Sequence, residues 1–471
     1  YSDSGRTTQV GNTLTVTISD TSTTPAANDV SIDFDGNDAV IFPMNSTSLN
    51  WGATENVTFE CWFKIDSFSS GTWHSQFGRW KGGEYCFLME VNTNGGTFLA
   101  IGNGSGYYAN IQGPNGAVKA GRWYHVACVK NGSNGTIYLN GIADSTTSSW
   151  SQACTNSTRD IVIGGNADGW SSYGIDGQVM DVRFSIGKAL YTSTFSPPTE
   201  PLTTTSQGAS GHVKFLGAQS STITAATYID NGDASDTATT EGNPVSSTED
   251  PFVGDHSVEF DGDDYLTIAD STDFDLDSSD FTIECWYNPD TNPGWCGLMA
   301  QWPNQNYNVT NSWTFEPVST TLQFYYANTA GSIYGISAPG SLQTNQWQHC
   351  AVTRSGNTIN VWLNGSKGAD HTIVGTMQNS TVNVDIGGNV AGSGYVDGNI
   401  SNIRLTKGQA LYTSNFTPST SALTTTSQGA TASNVKLLCC QKSVVNMAAV
   451  TPNPITIGAG DPTPSTSDPY T

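Results

Sequence analysis

One stretch of this chain occurs twice. Gly187-Lys188-Ala189-Leu190-Tyr191-Thr192-Ser193-Thr194-Phe195 returns as Gly408-Gln409-Ala410-Leu411-Tyr412-Thr413-Ser414-Asn415-Phe416, a spacing of 221 residues. Aligning 179–210 on 400–431 gives 18 identities in 32 positions. The correspondence extends upstream. Phe34-Asp35-Gly36 matches Phe260-Asp261-Gly262, Glu60-Cys61-Trp62 matches Glu284-Cys285-Trp286, and Leu139-Asn140-Gly141 matches Leu363-Asn364-Gly365. The spacing drifts only from 226 to 221, so the copies differ by small loop changes. A tandem duplication restricts the chain to a fold that one repeat can complete by itself or with its twin.

Each repeat reads as many short strands. Val30-Ser31-Ile32-Asp33-Phe34 alternates, Asp35-Gly36 marks a turn, and Ala39-Val40-Ile41-Phe42 follows, the signature of a hairpin. Phe59, Cys61 and Phe63 share one face of the next strand, with Thr58, Glu60 and Trp62 on the other. Further strands are predicted at 85–91, 97–101, 123–130, 136–139, 160–163 and 178–184, and one helical turn at Ala189-Leu190-Tyr191. The fold class is all-β: two tandem jelly-roll β-sandwiches with short extended flanks. The expected boundaries are an N-terminal strand and linker segment over 1–29, sandwich one over 30–216, an acidic linker over 217–255, sandwich two over 256–440, and a Pro/Thr/Ser-rich tail over 441–471. Gly460-Asp461-Pro462 and its sequel resemble Gly242-Asn243-Pro244 and its sequel, so the tail is read as leading toward a further module of a longer protein.

Charge removes whole classes of partner. The 17 Lys and Arg against 41 Asp and Glu give a net charge of −24. Nucleic acid and anionic membrane surfaces both require basic clusters, so neither is expected, and no apolar run approaches a membrane span. The nine cysteines are read as mostly reduced core residues, because Cys128 and Cys350 trade places with valines between the copies, with Cys61–Cys128 as the alternative disulfide.

The ordered set Phe-Asp-Gly, Glu-Cys-Trp, Trp-x-His, Leu-Asn-Gly, Ile-Gly-Gly-Asn and Asp-Gly-x-(Val/Ile)-x-x-(Val/Ile)-Arg resembles the laminin-G-like, concanavalin A-like lectin/glucanase superfamily. The Ala-Leu-Tyr-Thr-Ser-x-Phe ending resembles modules of structural proteins from marine phages, particularly cyanophages. The resemblance implies an extracellular or virion-surface protein: a fibre, tail appendage or capsid decoration. It also implies cell-surface glycans or other virion proteins as partners, within a homo-oligomer or larger assembly. A cellular adhesin or surface-layer protein, and a purely structural subunit without glycan binding, are the alternatives.

Site expectations follow from residue chemistry. Glucanases of the superfamily carry closely spaced carboxylates on one strand, and retaining chemistry needs them about 5 Å apart. Glu60 and Glu284 stand singly beside tryptophans, and His125 and His349 lie mid-strand, so no enzyme is expected. The resemblance implies Ca²⁺, one per sandwich, with Asp35, Asp38 and Asp181 in the first and Asp261, Asp264 and Asn402 in the second. Sugar binding uses aromatic faces with Asn/Asp hydrogen bonds. Trp73, Trp170, Tyr173, Trp295 and Tyr307 are the candidate glycan contacts, while Trp80 and Trp302, which align, are expected in the core.

Overall fold

The computed structural model describes residues 30–42, 49–68, 73–81, 84–103, 106–147, 150–154, 160–165, 173–220, 226–228, 239–241, 245–247, 256–291, 295–303, 311–388, 394–459, 462–465 and 469. The N-terminal strand expected within 1–29 lies outside them. The chain divides into two compact units, Tyr1–Val253 and Gly254–Thr471.

Each unit is a sandwich of two antiparallel sheets. In the first, a nine-stranded sheet runs Ile142–Thr147, Asn134–Leu139, Trp123–Asn131, Val57–Ile65, Asp176–Ile186, Ser31–Asp35, Val245–Ser247, with Val213–Gly217 and Ala226–Tyr228 attached through Asp176–Ile186. A seven-stranded sheet runs Thr239–Glu241, Ala39–Phe42, Ile161–Ile163, Trp73–Lys81, Glu84–Asn92, Thr97–Gly102, Tyr107–Gln112. The second unit repeats the plan with sheets of ten and seven strands. Helix is confined to short 3-10 turns and a helical position at Tyr173 among the described residues, and there no helix is long and apolar enough to cross a membrane.

The alternation of the sequence explains the packing. Phe59, Cys61 and Phe63 face Phe77, Phe87 and Phe184 between the sheets, all buried. Phe59 stacks on Phe87 with ring centroids 3.9 Å apart. Each such side chain withdrawn from water contributes roughly 1.5–3 kcal/mol.

Several expectations change. Ser31–Asp35 and Ala39–Phe42 do not form a hairpin: they belong to different sheets, and the Asp35-Gly36 turn carries the chain between them. Gly36 has the positive φ of 87° such a turn needs, a requirement shared by hairpins and arches alike. The segment 217–255 is more than a linker, because Ala226–Tyr228, Thr239–Glu241 and Val245–Ser247 all pair within the first sandwich. The 441–471 segment does the same in the second: Ala448–Val450, Ile455–Ala459 and Thr463–Ser465 pair with its strands. Within the similar ranges 242–252 and 460–470, Val245–Ser247 and Thr463–Ser465 are each laid against the strand that opens the described part of their own sandwich. Residues 189–191 form no helical turn; they run as an irregular strap over the larger sheet. The disulfide joins Cys86 to Cys154, Cα atoms 5.6 Å apart, while Cys61 and Cys128 remain free and buried. Their register, Cys61 opposite Val126 and Phe59 opposite Cys128, sets them diagonally on adjacent strands.

Candidate functional site

The repeated stretch that defines the duplication is held by a buried polar cluster. Glu60 on Val57–Ile65 lies opposite Arg183 on Asp176–Ile186. Glu60 Oε1 accepts from Arg183 Nε at 2.9 Å and Nη2 at 2.7 Å; Oε2 accepts from the Tyr191 hydroxyl at 2.8 Å and faces His125 Nε2 at 3.2 Å. Arg183 Nη1 donates onward to the Thr203 carbonyl at 2.7 Å and to Ser206 Oγ at 2.8 Å. Glu284, Arg404, Tyr412 and His349 repeat every one of these contacts. Burial pushes the Glu60 carboxyl upward, but Arg183, His125 and Tyr191 outweigh it and hold the pKa at about 2. Both His rings sit between their Glu and the strap aromatics Phe195 or Phe416. All four groups are fully covered or nearly so, which fits a strap lock.

The strap is fixed at two more points. Thr58 Oγ accepts from Leu190 N and donates to Lys188 O. The Asn140-Gly141 turn receives Phe195 N on Gly141 O at 3.0 Å, and a Cβ at Gly141 would collide with the Phe195 carbonyl oxygen. That explains the Leu-Asn-Gly motif in both copies: residue 141 needs φ of 79° and no side chain.

The expected calcium sets do not assemble. Asp35 pairs in register with Asp176, so Asp181 lies five residues further along that strand, roughly 16 Å away at strand rise. Asp181 has φ of 55° at a bulge and is buried. It accepts from Leu202 N at 3.0 Å and from the Gln219 amide, anchoring the chain after the strap. Asn402 does the same for Leu423 N and Gln441. The left-handed backbone selects Asp or Asn here, and burial pushes the Asp181 carboxyl up to about 7, against the pull of Gln219 and Leu202. What remains is a local acidic cluster. Carboxylate oxygens of Asp261, Asp263 and Asp264 lie within 4.8 Å of one another. In the first copy Asn37 replaces Asp263.

The glycan candidates divide. Trp170 and Tyr307 lie outside the described residues, and Tyr173 is half-buried. Trp73 and Trp295 prove equivalent. Trp73 opposes Asn92, two residues past Glu90, and Trp295 bridges Val318, two past Glu316. Both glutamates lie on the outward face of the seven-stranded sheets, since their neighbours Met89 and Phe315 point into the cores. Trp73 packs on Phe98 at 4.6 Å, and Phe98 is opposite Glu90 in register. Ser75 Oγ donates to Glu90 at 2.6 Å. Trp295 and Thr314 both donate to Glu316, whose carboxyl burial nonetheless pushes up to about 7. Beside this pair Trp302, Ala300 and Ala327 form an outward cluster with Tyr325 and Ile333, so Trp302 is buried on the outward side and not between the sheets. Trp80 is half-buried against Tyr85. The glutamates escaped the sequence reading: Glu90 follows Trp73 by 17 residues and Glu316 follows Trp295 by 21, so no common spacing marks them, and only their outward place on an alternating strand was a signal.

Comparison with known proteins agrees with this architecture. The family described as the concanavalin A-like lectin/glucanases superfamily matches residues 34–190 and 260–411, well over half of the chain. A search of curated proteins found no match. Similar solved structures include mouse laminin alpha1 chain domains LG4-5, at 11% identity over 87% of this chain and 99% of that one, TM-score 0.29. The heptameric SAP-like pentraxin of Limulus polyphemus is 18% identical over 46% of this chain and 97% of that one, TM-score 0.31. The CBM40 of Ruminococcus gnavus IT-sialidase is 16% identical over 33% and 88%, TM-score 0.26. At such values these neighbours carry no inference about ligand or partner.

Proposed function

The chain belongs to the concanavalin A-like lectin/glucanases superfamily, and on that premise we propose that it is a non-enzymatic adhesive protein that contacts glycans through the outward faces of its seven-stranded sheets. The carrying observation is the recurrence of a half-buried tryptophan beside a carboxylate, Trp73 with Glu90 and Trp295 with Glu316, at equivalent strand positions. An indole face covers the apolar face of a sugar ring, and adjacent oxygens accept from its hydroxyls. The larger sheets' outward faces are engaged by the straps, which leaves the smaller sheets for contact.

Charge narrows the ligand. The strands of the second seven-stranded sheet contain no Lys, Arg or His, but carry Glu316 and Asp385. Uncharged glycans suit that face better than sulfated or sialylated ones. Trp295→Ala should weaken binding on a glycan array by about tenfold or more, corresponding to about 1.4 kcal/mol or more, with unfolding temperature little changed. Unaltered array binding would remove the reading, and release of reducing sugar from a bound glycan would replace adhesion with hydrolysis. Glu316 and Asp385 lie on strands separated by Met299–Gln301, and Ala300 opposes both Asp385 and Thr314, so Glu316 is also offset by two residues and the two backbones are roughly 12 Å apart.

An extracellular setting is supported by the Cys86–Cys154 disulfide, since such bonds persist in oxidising compartments. Within that setting the strap sequence favours a virion fibre, tail appendage or capsid decoration. Detection of the protein in purified virions tests this, and detection on a cell surface instead favours the cellular adhesin.

Calcium belongs to the proposal only at the Asp261-Asp263-Asp264 turn. The Asp261 charge raises the Asp263 carboxyl, a repulsion that a cation would relieve. Calcium added after EDTA treatment should raise the melting temperature of the wild type but not of Asp263→Asn. Equal responses from both would exclude this turn.

A further inference from the structure

We propose that Cys285 and Cys350 are an oxidisable pair, joined by a disulfide across adjacent strands of the second sandwich's larger sheet when the chain folds in an oxidising compartment. This does not rest on the glycan reading. In the structure both are thiols, buried on the core side of Phe281–Pro289 and Gln348–Ser355. The register sets them directly opposite one another. Opposed residues of an antiparallel pair have Cα atoms about 4.5 or 5.5 Å apart, depending on whether they exchange hydrogen bonds. Both values fall within the roughly 4.4–6.8 Å that a disulfide spans. The two thiols already interact: a hydrogen bond to Cys350, together with burial, raises the Cys285 thiol well above its ordinary range.

The first sandwich supplies the contrast. Its matching strands also carry two core cysteines, but Cys61 stands opposite Val126 and Cys128 opposite Phe59. That diagonal relation separates Cα atoms by about 7–8 Å, too far for an S–S bond without backbone movement. Its crosslink lies elsewhere, between Cys86 and Cys154. The second sandwich cannot copy that bond. Counting from Met89 and Phe315, which stand opposite Phe77 and Met299, puts Ser312 at the place of Cys86, and Ser312 Oγ donates to Gln378 O at 2.6 Å. In the same core Cys439 stands opposite Ile403, with its chain neighbour Cys440 at 3.7 Å between sulfurs. A Cys285–Cys350 bond ties the two strands whose outward residues Glu284 and His349 meet at 3.1 Å, so it fixes the base on which the strap cluster is built. The step balances with a disulfide oxidant. Cys285 attacks the oxidant's S–S bond and releases one thiol, and Cys350 then displaces the second. One S–S bond forms, one breaks, and the two protons end on the released thiols. Because the folded core holds the Cys285 thiol protonated, the exchange belongs to folding, before the sheets close over it.

The test refolds the full reduced chain with and without glutathione disulfide, denatures it, and labels free thiols with iodoacetamide before peptide mapping. With the oxidant, Cys285 and Cys350 should escape labelling and appear as one crosslinked peptide pair that a reductant separates, while Cys61, Cys128, Cys296, Cys439 and Cys440 are labelled. Oxidation of Cys86 and Cys154 in the same sample shows that the oxidant acted. Val126→Cys, which gives Cys61 a directly opposed partner, should remove Cys61 from the labelled set. Cys350→Val, the residue of the first sandwich, should return Cys285 to it. Circular dichroism before denaturation shows that each protein is folded. Absence of the Cys285–Cys350 peptide pair from folded, oxidised wild type, or a bond from Cys285 to Cys439 or Cys440 instead, would overturn the assignment. A folded Val126→Cys that leaves Cys61 labelled would overturn the geometric basis for it.

Discussion

Glu60→Ala should destabilise the first sandwich by about 3–5 kcal/mol, the cost of removing one partner of a buried ion pair. The reason is what it leaves behind. Arg183 is fully buried, and without Glu60 its Nε loses its acceptor and Nη2 keeps only the 3.3 Å bond to Gln207 Oε1, while Nη1 still holds Thr203 and Ser206. Tyr191 and His125 lose the same carboxylate, so the strap loses its central anchor. Urea unfolding followed by tryptophan fluorescence measures the effect. The double variant Glu60→Ala with Arg183→Met should recover part of the loss, because it removes the stranded charge. A single variant as mild as a surface change, within about 0.5 kcal/mol, would show that the cluster locks nothing. The pH dependence has a definite sign. Glu60 is held at about 2, below its unfolded value, so its contribution is present above about pH 4.5 and is lost as pH falls toward 2.

Asp181→Asn should change stability in opposite directions at the two ends of the pH range. Burial raises the Asp181 carboxyl to about 7, so between its unfolded value near 4 and that value the folded protein binds more protons than the unfolded chain. Stability of the wild type therefore falls as pH rises through this window, by on the order of 4 kcal/mol in all. The amide does not titrate, so the variant lacks that decline. It pays a different cost. Asn402 sends its Nδ2 to Ser401 Oγ at 2.7 Å, but Met180 stands at the place of Ser401, so the new amide leaves a donor without that acceptor, worth about 1–3 kcal/mol. The variant should be the less stable near pH 4 and the more stable near pH 8. Denaturation curves of both proteins across that range check it. Parallel stability–pH profiles would mean that Asp181 is ionised in the folded state at neutral pH.

Much of the site was legible, unevenly. Trp73 and Trp295 could be picked out as candidates because aromatic chemistry is local, but the structure puts Trp73 at the start of the strand Trp73–Lys81 and Trp295 in a bridge to Val318, so their glycan contact stands as the proposal. Their glutamates were not found, because a lone Glu in a strand looks like any outward residue until the neighbouring strand is known. Asp181 was read as a metal ligand for the same reason. Its side chain serves a left-handed bulge and two donors that arrive from Leu202 and Gln219, which sequence spacing does not reveal.

The sequence by itself determined the duplication, the strand faces and the places of the turns, since period-two alternation and left-handed Asn or Gly positions are properties of neighbouring residues. Tertiary structure alone decided that Asp35-Gly36 crosses between sheets, that 226–247 and 448–465 close the sandwich they follow, and that Glu60 meets Arg183 across 123 residues. Such pairings depend on which distant strand edge a segment reaches. Alternation states which side of a strand is buried and is silent about the strand beside it.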